Sequence, residues 1–317
     1  MKIISTTLNG LAAIIAIWIL AAASTLADDK EPIPDDIAVT HDVRYREGEV
    51  KNWTMDLAIP KGDSGHSRPA IVVIHGGGWI QGDKSSFSTP TNRPPGNIID
   101  FGREGFVAAT INYRLSDQAP FPAALHDCKN AVRFLRAHAK EYGIDSDRIG
   151  AWGNSAGGHL ALMLGMVGPE AKLEGDGPYL EYSSMVQAVA SDSGPIDLVH
   201  QYQHDQVRSV IGLFLGGPPE GARIDDYKMA SPTSYISGNL PPLLLMYGGA
   251  DEQVGVETAD QFVVSLNRAG LKDVSYHRLG LVGHCPHSLK RIATLPPIVN
   301  DFFSRTLSLR EAKESAK

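Results

Sequence analysis

Long apolar runs and helix-period segments alternate along most of this chain. Ala70-Ile71-Val72-Val73-Ile74 has no polar interruption and stops at His75 and three glycines. A short apolar run without alternation predicts a strand covered on both faces. Further strands are expected at 39–45, 52–59, 106–111, 148–152, 186–191, 243–247 and 275–279. Residues 123–142 form the clearest helical pattern. Its apolar face carries Ala124, Ala131, Val132, Leu135 and Ala139, with Lys129, Arg133, Arg136 and Lys140 expected on the surface and Gly143 as the stop. Residues 156–167 are apolar nearly all round, which predicts a buried helix. Further helices are expected at 98–104, 210–215, 256–269 and 288–307, the last interrupted near Pro296-Pro297. Strands alternating with helices predict an α/β fold of three layers, a mainly parallel sheet with helices on both faces. The stretch 205–238 lacks a clear period and reads as a small lid or pocket wall at most.

The amino end breaks this pattern. Met1 and Lys2 precede an uncharged apolar run over 3–23, then Ser24-Thr25-Leu26-Ala27, then Asp28-Asp29-Lys30-Glu31. That order predicts a signal peptide over 1–27 and export to the periplasm or beyond the cell. An uncleaved anchor is the alternative, since the run approaches a membrane span; after cleavage no stable membrane partner is expected. Residues 28–39 read as a flexible lead-in and 40–317 as one domain.

Composition narrows the function classes. The chain has 317 residues, 43% hydrophobic and 21% charged, which is globular usage. A formal net charge of −7 argues against a nucleic-acid partner. Cys128 and Cys285 allow one disulfide or two buried thiols, and without a CxxC pair they exclude a cysteine-rich metal site. His41, His66, His126 and His138 are scattered, so neither a metal nor a cofactor is expected.

Two glycine-rich motifs carry the chemistry. Gly153-Asn154-Ser155-Ala156-Gly157 follows one predicted strand and opens the apolar helix, the setting in which a tight turn exposes a nucleophilic serine. A helix-capping serine in an ordinary turn is the plain alternative. His75-Gly76-Gly77-Gly78-Trp79 follows the buried strand and leaves backbone N–H groups open to an anion. A phosphate cradle is excluded because no Lys-Ser or Lys-Thr follows in Walker spacing. Asp251, with Glu252 as rival, lies just past the 243–247 strand. His284 lies past the 275–279 strand, with His287 as the alternative base. The order Ser155, Asp251, His284 is that of one serine-hydrolase arrangement only, the α/β-hydrolase one.

On these residues the chain resembles the α/β-hydrolase superfamily, and within it the HGGG-motif, hormone-sensitive-lipase-like esterases. The segments Asn112-Tyr113-Arg114-Leu115, Phe121-Pro122-Ala123-Ala124-Leu125 with Asp127, and 145–149 share the likeness, which covers roughly 40–305. His75–Trp79 with Gly153-Asn154-Ser155-Ala156-Gly157-Gly158-His159 looks most like bacterial feruloyl and acetylxylan esterases, with arylformamidase-like hydrolases close by. Two motifs depart from the common pattern: Tyr247-Gly248-Gly249-Ala250-Asp251 and Gly283-His284-Cys285-Pro286-His287. The second leaves His284 and His287 both open as base.

The resemblance implies acyl transfer to water, with Ser155 as nucleophile, His284 as base and Asp251 as its orienting acid. Gly77, Gly78 and Ala156 would supply the oxyanion N–H groups. Trp79, Asn154, Tyr202 and Phe214 are the candidate substrate contacts. The expected partner is an acylated oligosaccharide or small ester, with a general short-chain carboxylesterase or arylformamidase-like enzyme as alternatives. Oligomeric state stays open.

Overall fold

The computed structural model describes residues 32–48, 53–62, 65–89, 94–288 and 292–308. The expected signal peptide over 1–27 lies outside them, as does the start of the lead-in. The strands are β1 (Ile37–Arg44), β2 (Thr54–Pro60), β3 (Arg68–Ile74), β4 (Val107–Ile111), β5 (Ile144–Asn154), β6 (Ala188–Asp192), β7 (Leu243–Gly248) and β8 (Val274–Leu279). They form one eight-stranded sheet in the order β1-β2-β4-β3-β5-β6-β7-β8. β1 and β2 run antiparallel to their neighbours and every other pairing is parallel. The sheet is therefore mixed, mainly parallel, as the sequence pattern predicts.

The helices are α1 (Ile98–Arg103), α2 (Ala123–Ala137), α3 (Ala139–Tyr142), α4 (Ala156–Met166), α5 (Leu198–Gln201), α6 (Asp205–Phe214), α7 (Arg223–Met229), α8 (Val256–Arg268) and α9 (Leu295–Thr306). The pleat of β3 shows how the layers arise. Ala70, Val72 and Ile74 join the cluster containing Leu125, Val132, Leu160 and Phe262, from α2, α4 and α8. Ile71 and Val73 point the other way, to Ile99, Phe101, Phe302 and Phe303 of α1 and α9. An uninterrupted apolar strand suits this position because both its faces are covered. Among the described residues no large lid is inserted; α5–α7 follow β6 as a small insertion. Among the described residues no helix is long and apolar enough to cross a membrane.

Four expectations need correction. The lead-in expected over 28–39 overlaps β1, whose first residue, Ile37, is buried in the α1 and α9 layer. The 123–142 helix is divided at His138, whose backbone leaves the helical region. Lys129 and Arg133 are not on the surface. Both are buried on α2, where Glu174 pairs with each, and Lys129 Nζ also donates to the Val167 carbonyl at 2.8 Å. The segment after α4 folds over that face of α2, a long-range covering that a helical wheel does not contain. Pro296 and Pro297 start α9 rather than interrupt it, since the first helical turn needs no backbone donors. Of the two readings for the cysteines, free buried thiols hold for both Cys128 and Cys285.

The connectivity also sets the position of the site. β3 lies between β4 and β5, so the chain leaves β3 to one side and returns on the other. This is a switch point, where the loops beyond the strand ends diverge and leave a crevice. Ile74 of β3 is in register with Gly153 of β5. The glycine run after β3 and the serine turn after β5 are therefore neighbours.

Candidate active site

The serine turn is held by close backbone packing. Ser155 has φ 52° and ψ −124°, a left-handed conformation that a non-glycine residue adopts at a cost of about 1–3 kcal/mol. Its N–H donates to the Asp192 carbonyl at 2.7 Å, and its own carbonyl accepts the His159 N–H at 3.0 Å. The glycines of the motif make the approach possible. A Cβ on Gly157 would lie 2.0 Å from the Ile74 carbonyl oxygen, and one on Gly153 would lie 2.4 Å from Gly157. α4 can start against the end of β3 only if these positions lack side chains.

The base and acid arrive from the two strands on the far side of β6. His284 Nε2 lies 2.8 Å from Ser155 Oγ, and its Nδ1 lies 2.7 Å from Asp251 Oδ2. A carboxylate can only accept, so Nδ1 carries the proton and Nε2 is free to accept from the serine hydroxyl. The Asp251 carboxylate is shielded from solvent, and Oδ1 accepts the N–H groups of Gln253 and Val254, each at 2.9 Å. Burial alone would raise its pKa. The hydrogen bond and charge of His284, with the two N–H donors, outweigh burial and hold it below the ordinary value.

His287 takes no part in this relay. Its ring is buried edge-on to Trp152, neither ring nitrogen has a hydrogen-bond partner among the described residues, and burial lowers its pKa to about 3. Of the two candidate bases, His284 alone faces the serine.

The glycine run bends into a cradle beside Ser155. Gly77, Gly78 and Trp79 all have positive φ, at 107°, 61° and 58°. A Cβ on Gly77 would meet the Gln81 carbonyl at 2.1 Å, and one on Gly76 would lie 3.2 Å from Ser155 Cβ. Among the described residues no protein acceptor takes the N–H of Gly77, Gly78 or Ala156, whereas the Gly76 N–H is already bonded to Asn154 Oδ1 at 3.0 Å. His75 is a shaping residue. It stacks on Tyr113 at 4.4 Å, its Nδ1–H donates to the Gly76 carbonyl, and burial lowers its pKa.

The expected substrate contacts fare differently. Trp79 and Phe214 are buried and stacked on each other at 4.3 Å, with His159 edge-on to both. They lock the glycine cradle, α4 and α6 together and offer no face to a ligand. Asn154 spends its amide on Gly76 and, at 3.4 Å, on Ser288. Tyr202 is half-buried on the α5–α7 insertion, edge-on to Tyr227. The residue that does approach the cradle is Val210 of α6, whose Cγ1 lies 2.7 Å from where a Gly78 Cβ would be. Its sequence signal was weak, since it is one apolar residue in a segment without clear period. Asp192 was also missed. It sits just past a predicted strand, the same signal that singled out Asp251.

Fold and site together define an α/β-hydrolase of the serine-hydrolase type. The BD-FAE family model matches residues 55–266, about two thirds of the chain, and the chain belongs to that family. Among solved structures it is similar to a truncated form of a carbohydrate esterase from gut microbiota, with TM-score 0.74 and 25% identity over 87% of this chain and 99% of the other. It is also similar to Thermogutta terrifontis esterase 2 phosphorylated by paraoxon, with TM-score 0.65 and 25% identity over 86% of this chain and 95% of the other. A curated relative, the probable carboxylic ester hydrolase LipM of Mycobacterium tuberculosis, is 28% identical over 251 residues, which is 78% of this chain and 56% of LipM. The chain spans about half the length of the curated relatives it matches.

Proposed function

We propose that this protein is an exported serine carboxylic-ester hydrolase that releases acetyl or feruloyl groups from xylan-type polysaccharide fragments. The observation that carries the reaction class is the relay Asp251–His284–Ser155, with both hydrogen bonds below 3 Å. Ser155 Oγ attacks the ester carbonyl while His284 Nε2 takes its proton. His284 then gives that proton to the departing alcohol, and Asp251 stabilises the charged imidazole. The N–H groups of Gly77, Gly78 and Ala156 receive the oxyanion, where one donor typically contributes about 3 kcal/mol to the transition state. Water, activated by His284, then cleaves the acyl-enzyme.

Substrate class rests on membership of the BD-FAE family and likeness to a carbohydrate esterase. The signal-like residues 1–27 favour a substrate met outside the cytoplasm, and the His75–Trp79 block favours the HGGG branch of the esterases. The second reading is a general short-chain carboxylesterase, favoured by the likeness to LipM and by the apolar Val210 at the cradle. Acetylated xylo-oligosaccharide, feruloylated arabinoxylan oligosaccharide and a simple acetate ester separate the two, each assayed with wild type and Ser155→Ala. Ser155-dependent release of acetate or ferulate from the oligosaccharides, faster than from the simple ester, supports the carbohydrate reading. Turnover of the simple ester alone moves the assignment to the general esterase. No turnover of any ester by folded protein defeats the reaction class.

A further inference from the structure

The site described so far has three arms: the serine turn after β5, the acid loop after β7 and the base loop after β8. Two adjacent residues at the end of β6, Asp192 and Ser193, touch the serine turn, the base loop and strand β7, which leads into the acid loop. The Asp192 carbonyl accepts the Ser155 N–H at 2.7 Å. Its side-chain Oδ2 accepts the N–H of His287 at 3.1 Å and of Ser288 at 3.3 Å, with the Ser288 hydroxyl at 3.5 Å. Ser193 Oγ accepts the Cys285 N–H at 3.1 Å, and the Ser193 N–H donates to Met246 of β7 at 2.8 Å. Ser193 and Cys285 both hold positive φ, at 52° and 53°. Such conformations persist only where the surroundings over-determine them.

We infer that Asp192 is a positioning residue, whose side-chain oxygen holds the base loop so that His284 meets Ser155. The proposal rests on the ester-hydrolase reading of this site. The geometry leaves few substitutes for that oxygen. Asp192 and His287 are fully buried, and among the described residues Oδ2 is the one side-chain atom of Asp192 with a hydrogen-bond partner, so the His287 N–H has no water to turn to. The His287 and Ser288 N–H groups begin three residues beyond His284 in a short turn. A shift there moves the imidazole directly. The reaction needs the oxygen as an acceptor and does not need its charge. Burial, together with the nearby Asp251, pushes the Asp192 carboxyl up to about 8 against the lowering effect of the His287 and Ser288 donors. Asparagine reproduces the shape of the side chain and keeps the acceptor oxygen.

The test compares Asp192→Asn and Asp192→Ala with wild type on a simple acetate ester. Active sites are counted by phosphorylation of Ser155 with paraoxon, and folding is checked by circular dichroism. A misplacement near 1 Å costs on the order of 100-fold in rate. Asp192→Ala is therefore expected to lose on the order of 100-fold in kcat per active site, with KM within about threefold, while Asp192→Asn keeps kcat within about threefold. A folded alanine variant with near wild-type kcat overturns the inference. So does an asparagine variant as impaired as the alanine one, because the amide retains the acceptor. If the alanine variant does not fold, Asp192→Ser, whose shorter side chain cannot reach both N–H groups, is held to the same thresholds. A wild-type protein without turnover would defeat the ester-hydrolase reading, a result separate from any difference among the variants.

Discussion

The serine turn and the α5–α7 insertion meet at the glycine cradle but are built on different terms. The turn is held by backbone against backbone: Gly157 against Ile74, Gly153 against Gly157, and Ser155 in a strained conformation. The insertion rests on side chains, through Val210 on Gly78, Phe214 on Trp79 and the His159 bond to Ala230. Several of its residues are exposed, among them Leu213 at 58%. The contrast separates two tasks. Chemistry needs atoms held to a fraction of an ångström, which close-packed backbone provides. Choice of substrate needs a wall that can change without disturbing them.

Four measurements probe this contrast, in order of falling effect. His284→Ala should lower kcat by roughly 10⁴-fold or more, as loss of a triad base does, whereas His287→Phe should leave kcat within about threefold. Equal losses in the two variants would mean that the base loop carries the chemistry differently. Gly157→Ala should cost more than about 3 kcal/mol or prevent folding, because its Cβ would occupy carbonyl space. Gly212→Ala, on α6 and facing only Tyr202 at 3.6 Å, should be neutral or stabilising by about 0.5–1 kcal/mol. Chemical denaturation of the two variants tests whether the regions really differ in tolerance.

The third measurement concerns the joint between the regions. His159 of α4 donates Nε2–H to the Ala230 carbonyl at 2.7 Å, and burial lowers its pKa from 6.5 to about 4. The folded state holds the neutral ring, so this stability is present above pH 6.5 and lost as pH falls towards 4. A shift of that size corresponds to about 3 kcal/mol. His159→Gln should flatten the fall in melting temperature across that window; an unchanged slope would remove His159 as the cause. The smallest effect is expected at Val210. Val210→Ala should alter the kcat/KM ratio for butyrate over acetate esters by roughly 5- to 20-fold with little change for acetate, in line with one or two methyl groups in an apolar wall.

Much of the reaction centre was readable because its residues are tied to strand ends. Ser155, Asp251 and His284 each follow a predicted strand, and the sheet brings such ends together whatever the loops do between them. Where the local pattern allowed two outcomes, the surroundings chose. His284 and His287 are three residues apart, and one faces the serine while the other lies buried against Trp152. Trp79 and Phe214 looked like ligand contacts, yet stack on each other. Lys129 and Arg133 looked exposed until Glu174, more than forty residues away, covered them.

Sequence alone determined the alternation of strands and helices, the mainly parallel sheet and the glycines at the serine turn. These follow from local rules: which faces must be buried and which backbone conformations a side chain forbids. Tertiary structure alone decided which histidine serves the serine, which aromatic rings are closed off, and that Asp192 reaches across to the base loop. Those outcomes depend on distances between residues far apart in the chain, and only the packed sheet sets such distances.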